Sequence, residues 1–262
     1  MLEVVGAVFS NADYLVLMLF RVGGLVLSSP IFGRVNVPQM AKLGLATSLT
    51  FLCFLAFPQT EPLQYSSLIG FALLAAMELL LGVALAYVTN IFFSLVAFTA
   101  GQLIDMQIGF GIVNVFDIQN NTQIPMMGNI LNLMMLMMFF AVNGHLRLIE
   151  MVYLTIDRMP IGTMILSAAI GITIAEIFVR TFLLGVMMAL PIMASGLTLE
   201  IAFGMMMRAV PQIHMFVVGM PLKVIVGLIL FMVTLPVFIG FTNRIFSDMF
   251  LSLDLIFGTF VN

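Results

Sequence analysis

The sequence has 262 residues, of which 63% are hydrophobic and 8% are charged, and its formal net charge is −3. A soluble domain is typically about 45–50% apolar and about 25% charged, so this composition excludes a water-soluble globular domain. It predicts an all-α, polytopic membrane protein. The small net charge gives no indication of nucleic acid as a partner. The single cysteine, Cys53, excludes a disulfide framework and a cysteine metal site.

Apolar runs recur along the chain, and a helix needs roughly 20 apolar residues to cross a bilayer. The first three runs fall at 15–29, 43–57 and 65–100, with a basic loop at 30–42 between the first two. The third run predicts either one strongly tilted or bent helix or two shorter elements, because it is longer than a single span requires.

Residues 101–125 interrupt this pattern with Gly, Asn and Gln among apolar side chains, and they contain no basic residue. Further apolar runs follow at 126–142, 161–207 and 224–241. The whole sequence therefore predicts about six long helices, some of them broken.

The chain is expected to divide near residue 160. Residues 1–160 form a multi-span part, and residues 161–262 form a long helical hairpin with its turn near 208–221 and a C-terminal tail. The positive-inside rule places this basic, proline-bearing turn in the cytoplasm. Its characteristic residues are Arg208, Pro211, Gln212, Pro221 and Lys223.

Of the five charged residues inside apolar runs, four are candidates for intramembrane pairs. A central charge in a span costs about 2.5–3.5 kcal/mol on insertion scales, so each needs a reason. Arg21 and Glu78 either neutralise each other or face other subunits. Glu176 and Arg180 are four residues apart in the favourable order, so they share one helix face. Structural pairing in a helix bundle explains all four, and a proton or ion pathway is the alternative.

Catalytic motifs are missing, so the sequence predicts no enzyme and no cofactor. It has no HExxH motif. Met193-Ala194-Ser195-Gly196 lacks the first glycine of an intramembrane serine-protease motif, and Gly109-Phe110-Gly111 is followed by Ile112 instead of aspartate. The two histidines, His145 and His214, lie in different connecting segments, which predicts no metal site.

Methionine is unusually frequent, with 24 residues. Because Met is flexible and fits irregular gaps, these residues predict core packing, a deformable seal around changing surfaces or, less in keeping with the ligands present, a copper site. The densest groups are Met134, Met135, Met137 and Met138, and Met205, Met206 and Met207.

Residues 101–125 are the strongest functional candidate, because irregular backbone at membrane depth is tolerated only inside protein or beside an aqueous cavity. A mobile loop with an apolar tip suits a hydrophobic plug, and an ordinary extramembrane loop is the alternative. The plug residues would be Phe110, Ile112, Val113, Val115 and Phe116.

Taken in order, a set of landmarks resembles the flagellar FliR family, the R subunits of type III secretion export gates, and their virulence counterparts. They are Arg21 with Ser29-Pro30-Ile31-Phe32-Gly33, Val37-Pro38 with Lys42, Glu78 with Gly82, Ala100-Gly101-Gln102-Leu103-Ile104-Asp105-Met106-Gln107-Ile108-Gly109-Phe110, Asn143-Gly144-His145, Pro191, Arg208-Ala209-Val210-Pro211-Gln212 and Gly219-Met220-Pro221-Leu222-Lys223.

The resemblance implies a non-enzymatic subunit of the flagellar export gate, required for flagellum assembly. It implies a P-like part at 1–160 fused to a Q-like hairpin at 161–262. Its partners would be P and Q subunits in a helical hetero-oligomer, the export-switch B subunit and the large A subunit, membrane lipid and unfolded flagellar substrates. The place would be the bacterial inner membrane at the flagellar basal body, with the loop after Gly101-Gln102 contributing to the plug and Met-rich surfaces forming a gasket.

Two other functions follow from the apolar character alone. One is a secondary transporter for a small solute, which predicts internal inverted symmetry and converging polar groups at the midplane. The two parts of this sequence look unlike each other, which disfavours a transporter. The other is a passive membrane scaffold without a conducting role.

Overall fold

The structure is a computed structural model, and it describes residues 11–57, 63, 65, 67–109, 126–163, 169–209 and 219–261. Over these ranges the chain is helical, with no β-strand. The helices are α1 (Ala12–Ser28), α2 (Gln39–Ala56), α3 (Leu68–Asn90), α4 (Val96–Ile108), α5 (Met126–Ala141), α6 (Gly144–Arg158), α7 (Ala169–Ala209) and α8 (Met220–Val261). The predicted all-α fold class is confirmed.

Four helical segments are long and apolar enough to cross a membrane within the described ranges. They are Gln39–Ala56, Leu68–Ile108, Ala169–Ala209 and Pro221–Phe260, and the broken pair α5 and α6 would make a fifth. This number of candidate spans is close to the predicted six. Helix α1 has 17 residues and is not among them. The polytopic membrane character is therefore a property of the structure as well as of the composition.

The long third apolar run forms one helical segment, Leu68–Ile108, instead of two separate elements. A π-helical turn at Ile91–Leu95 joins α3 to α4. Such wide turns insert an extra residue into a helix and change the direction of the side chains that follow. Helix α7 likewise continues through Pro191, and α8 continues through Pro236.

The chain divides into two compact units, and each draws on both halves of the sequence. Unit 1 comprises Met1–Asn90, Val142–Ile177 and Met249–Asn262, and unit 2 comprises Ile91–Ala141 and Phe178–Asp248. The sequence predicts a different division, near residue 160, into a multi-span part and a long helical hairpin. That division stays a prediction.

In unit 1, α1 is the central helix and packs mainly against α3 and α2. Its Leu17, Met18 and Val22 side chains are fully buried. In the first turn of α1, the Asp13 carboxylate accepts a hydrogen bond from the Tyr65 phenol. That bond raises the pKa of Tyr65 above its ordinary value, because it favours the protonated phenol.

In unit 2, α4 packs against α5. Three phenylalanines meet beside them: the ring centroids of Phe93 and Phe139 are 5.4 Å apart, and Phe246 lies 5.9 Å from Phe93 and 5.4 Å from Phe139. Edge-to-face and offset ring pairs at these distances stabilise by about 0.5–1.5 kcal/mol beyond the area they bury. The π-helical turn contributes Phe93 to this cluster.

Candidate functional site

The two opposite charges within α1 and α3 form a buried ion pair. Arg21 Nε donates to Glu78 Oε2 at 2.5 Å, and Arg21 Nη2 donates to Glu78 Oε1 at 3.0 Å. The two side chains are 2% and 1% exposed. A bidentate contact of this kind matches the planar guanidinium fork to the carboxylate, so each group neutralises the other away from water.

The same pair also holds the end of α6. Arg21 Nη1 donates to the carbonyl oxygens of Thr155 at 2.9 Å and Met159 at 2.8 Å. These carbonyls lie at the C-terminal end of α6, where a helix carries a partial negative charge that a guanidinium complements. The Thr155 carbonyl accepts from the amide of Met159 as well. The amide of Gly162 donates to Glu78 Oε1 at 2.7 Å. One buried pair thus connects α1, α3 and the segment after α6.

Glycines allow α1 and α3 to approach closely enough for this contact. A Cβ atom at Gly82 would lie 2.1 Å from the carbonyl oxygen of Arg21, and one at Gly24 would lie 2.8 Å from that of Leu79. Gly162 has φ of +86°, a left-handed conformation that favours glycine. The sequence therefore provides both the charges and the backbone spacing that brings them together.

The charged residues of α7 and α8 make contacts between these two helices. Arg180 Nη2 lies 3.1 Å from Asp248 Oδ1, and Lys223 Nζ lies 2.5 Å from Glu200 Oε1. Arg180 is thus paired across helices and not with Glu176, the partner expected one turn away, and Glu176 is exposed. The local rule for residues four apart misses Asp248, which is 68 residues away in sequence.

The ends of α4 and α5 lie close together in unit 2. A Cβ atom at Gly101 would lie 2.2 Å from Gly128 Cα, so the two backbones are in direct contact. One turn further along α4, Asp105 Oδ1 accepts a hydrogen bond of 3.2 Å from the amide of Met127. Helix α4 ends at Gly109, whose φ is +98°.

The predicted plug residues Phe110, Ile112, Val113, Val115 and Phe116 lie outside the described residues. Pro211 and Gln212 of the predicted turn also lie outside them. Within the described part of the turn, Arg208 is exposed near the end of α7, and Pro221 is exposed in the first turn of α8. The assignment of these residues to a plug and a cytoplasmic turn stays a prediction.

The methionines of the two dense groups differ in exposure. In α5, Met135 is 1% exposed and Met137 is 64% exposed, while Met134 and Met138 are half-buried. In α7, Met205 is 64% and Met206 is 49% exposed, and Met207 is half-buried. The methionines of α5 therefore lie on buried and exposed faces of that helix. Those of α7 are mostly exposed within this chain. No group of three or more His, Cys, Asp or Glu in the described ranges could hold a metal ion.

The profile of the family described as bacterial export proteins, family 1, matches residues 13–249. The chain belongs to this family. The match covers both units and both ends of the buried Arg21–Glu78 pair, so the resemblance drawn from the sequence landmarks is confirmed.

Individual relatives carry a more specific name. A flagellar biosynthetic protein FliR of Escherichia coli K12 is 34% identical over 88% of this chain and 88% of its own length. The FliR of Bacillus subtilis is 30% identical over 88% of this chain and 89% of its own length. A third, from Aquifex aeolicus, is 28% identical over 90% of both chains. The chain thus matches these export-family members over nearly their full length.

Asp105 is the residue of this site whose role the residue patterns did not predict. In the sequence it is part of the family landmark that runs from Ala100 to Phe110, and two local features distinguish it there. A carboxylate stands near the end of an apolar helix, and a glycine follows four residues later at the helix end. Its contact with Met127 spans 22 residues, so sequence spacing alone does not reveal it.

Proposed function

We propose that this chain is a non-enzymatic subunit of the flagellar type III protein export gate. It would help to form and close the channel through which unfolded flagellar proteins are exported, and flagellum assembly would require it. The observation that carries this proposal is membership of the bacterial export family, together with full-length similarity to proteins named for flagellar biosynthesis. Four or five candidate membrane spans support a place in a membrane. The flagellar names of the relatives support the inner membrane at the basal body as the proposed location.

Partner subunits are proposed to cover much of the exposed apolar surface. Along α7 one exposed face shows spacings of three, four and seven residues, the pattern with which helices pack against each other. The residues of this face, each between 50% and 65% exposed, are Leu183, Met187, Leu190, Leu197, Ile201 and Met205. Lipid is also apolar, so the face fits both a membrane and a neighbouring helix. We propose the P and Q subunits as its neighbours, and the export-switch B subunit and the large A subunit as further components.

Exposed methionines are proposed to seal the closed channel. Met205, Met206 and Met137 are all about half or more exposed in this chain. Their side chains have three rotatable bonds and adapt to irregular surfaces. A ring of such side chains from several subunits would fill an empty channel, and it would also adapt its shape to a polypeptide that passes through. Core packing explains Met135, which is buried, but it does not explain the exposed members.

Residues 110–116 are proposed to be the plug itself. Their flanking helix ends are close together, since Asp105 near the end of α4 contacts Met127 at the start of α5. A segment of 16 residues, 110–125, that leaves and returns at nearly the same place is suited to fill a lumen without contributing to its wall. Its apolar side chains would exclude water and ions while the gate is closed.

Replacing Phe110, Ile112, Val113, Val115 and Phe116 together by serine is expected to make the closed gate leak small ions. The apolar side chains that keep water out would be gone, while the chain length and the ends of α4 and α5 stay unchanged. The measurement is ion conductance of the purified complex in planar bilayers without substrate. Conductance equal to that of the unmodified complex would contradict the plug assignment.

The matched control replaces the polar residues 119–123 of the same segment by serine. This variant has the same number of substitutions in the same connection, but it leaves the apolar residues intact. We expect its conductance to equal that of the unmodified complex. Equal leakage from both variants would mean that the folding of the whole segment, and not specifically its apolar tip, closes the gate.

A further inference from the structure

Asp105 contacts both ends of the connection between α4 and α5. Its backbone carbonyl accepts a hydrogen bond of 3.0 Å from the amide of Gly109, the residue at which α4 ends. Its side-chain Oδ1 accepts a hydrogen bond of 3.2 Å from the amide of Met127, in the first turn of α5. The bond to Gly109 is the ordinary backbone bond between helix residues four apart, whereas the side-chain bond to Met127 joins α4 to α5.

The electrostatics of the start of α5 favour a carboxylate at this place. The first amides of a helix have no acceptor within the helix, and the N-terminus carries a partial positive charge. Asp105 supplies an acceptor and a negative charge from a different helix. Gly109 has φ of +98°, a left-handed conformation that ends α4 and that glycine adopts readily.

Asp105 is completely buried, although it is charged at neutral pH in water. Its second oxygen, Oδ2, has no hydrogen-bond partner among the described residues. Burying a carboxylate with one oxygen unpaired costs free energy, and the hydrogen bond to Met127 offsets part of that cost. One turn before Asp105, the Gly101–Gly128 backbone contact brings α4 and α5 close enough for the Asp105 side chain to reach the amide of Met127.

We propose that Asp105 is the positioning residue that fastens the start of α5 to the end of α4, and so fixes where the residues between them are presented. This proposal rests on the proposed function in one respect only, namely that residues 110–116 form the plug. The fastening itself is a statement about α4, α5 and Asp105, and it can be measured without any assay of export.

The test measures the distance between the two helix ends directly. Spin labels are attached to cysteines at Met106 and Met126, which are 62% and 54% exposed, in a Cys53→Ala background of the full complex. We expect one narrow distance distribution for the unmodified Asp105. Asp105→Ala removes the acceptor, so the narrow peak is expected to be lost, and the closed gate is expected to conduct ions.

Asp105→Asn provides the conservative comparison, because its amide oxygen still accepts from Met127. It is expected to keep the narrow distance peak and to restore the closed gate, which a general loss of stability on mutation would not produce. Asp254→Ala, an exposed acidic residue in α8, is the control for the loss of an acidic side chain. If Asp105→Ala does not accumulate in membranes, Asp105→Ser takes its place, since its hydroxyl is one bond shorter.

A narrow distance peak in Asp105→Ala or its Ser replacement would overturn the proposal, as would loss of the peak in Asp105→Asn. Failure of the proposed function gives a different result. If the five-serine plug variant does not leak while Asp105→Ala loses its distance peak, the fastening stands and the plug assignment fails. If the plug variant leaks and Asp105→Ala keeps its peak, the plug assignment stands and the fastening fails.

Discussion

Replacing Arg21 alone by methionine is expected to destabilise unit 1 by about 3–5 kcal/mol, the cost of leaving one member of a buried ion pair without its partner. Methionine is a long apolar side chain, so the loss of charge and hydrogen bonds dominates over the loss of packing. Glu78 would remain 1% exposed and would keep the Gly162 amide as its described donor. The measurement is denaturant-induced unfolding of the purified protein in detergent.

The double variant Arg21→Met with Glu78→Met separates pairing from packing. Removing both charges leaves no uncompensated ion, so the double variant is expected to be more stable than Arg21→Met alone. It will not reach the stability of the unmodified protein, because the carbonyl of Met159 loses the Arg21 donor and that of Thr155 keeps only the backbone amide of Met159. Single-variant effects that simply add in the double variant would contradict the pairing.

Gly82→Ala is expected to separate α1 from α3 and to weaken the same ion pair. The new methyl group would lie 2.1 Å from the carbonyl oxygen of Arg21, which belongs to the backbone and cannot rotate away. Overpacking typically costs about 1–3 kcal/mol, and a backbone obstacle places this variant at the upper end of that range. The measurement is the same unfolding experiment, combined with the amount of protein inserted in membranes.

Gly44→Ala is the matched control for this substitution. Gly44 lies in α2, in the same unit, and a Cβ atom there would meet no other atom within 4 Å. Alanine is favoured over glycine inside a helix by about 0.8–1.0 kcal/mol, so this variant is expected to be as stable as the unmodified protein or more stable. Equal destabilisation by Gly44→Ala and Gly82→Ala would show that the close approach of α1 and α3 contributes nothing.

Composition and apolar periodicity predicted the helices, because both depend on local properties of the chain. The cost of a buried charge also marked Arg21 and Glu78 as residues that need a partner. It left open whether that partner was the other residue or another subunit, since they are 57 residues apart. The contacts of Arg21 with Thr155 and Met159 were beyond prediction, because backbone carbonyls leave no signature in the sequence.

The long apolar run of α3 and α4 shows a second kind of limit. Its length allowed a tilted helix, a bent helix or two elements, and hydropathy does not distinguish them. The structure has one helical segment with a π-helical turn at Ile91–Leu95. The turn contains neither proline nor glycine, and its Phe92 and Phe93 are buried, so no helix-breaking residue marks it in the sequence. The contact of Asp105 could not be predicted either, because its partner is the backbone amide of Met127, and a backbone amide leaves no signature in the sequence.

Site-specific crosslinking to an export substrate tests most directly whether this chain closes a protein-conducting channel. A photo-reactive amino acid is placed at Phe110 or Phe116 while a flagellar substrate is stalled in the gate, and Leu52, which is 61% exposed on α2, serves as the outer-surface control. We predict crosslinks to the substrate from Phe110 and Phe116 and none from Leu52. Absence of substrate crosslinks from both phenylalanines, with the substrate demonstrably stalled, would contradict the account and leave a passive scaffold in its place.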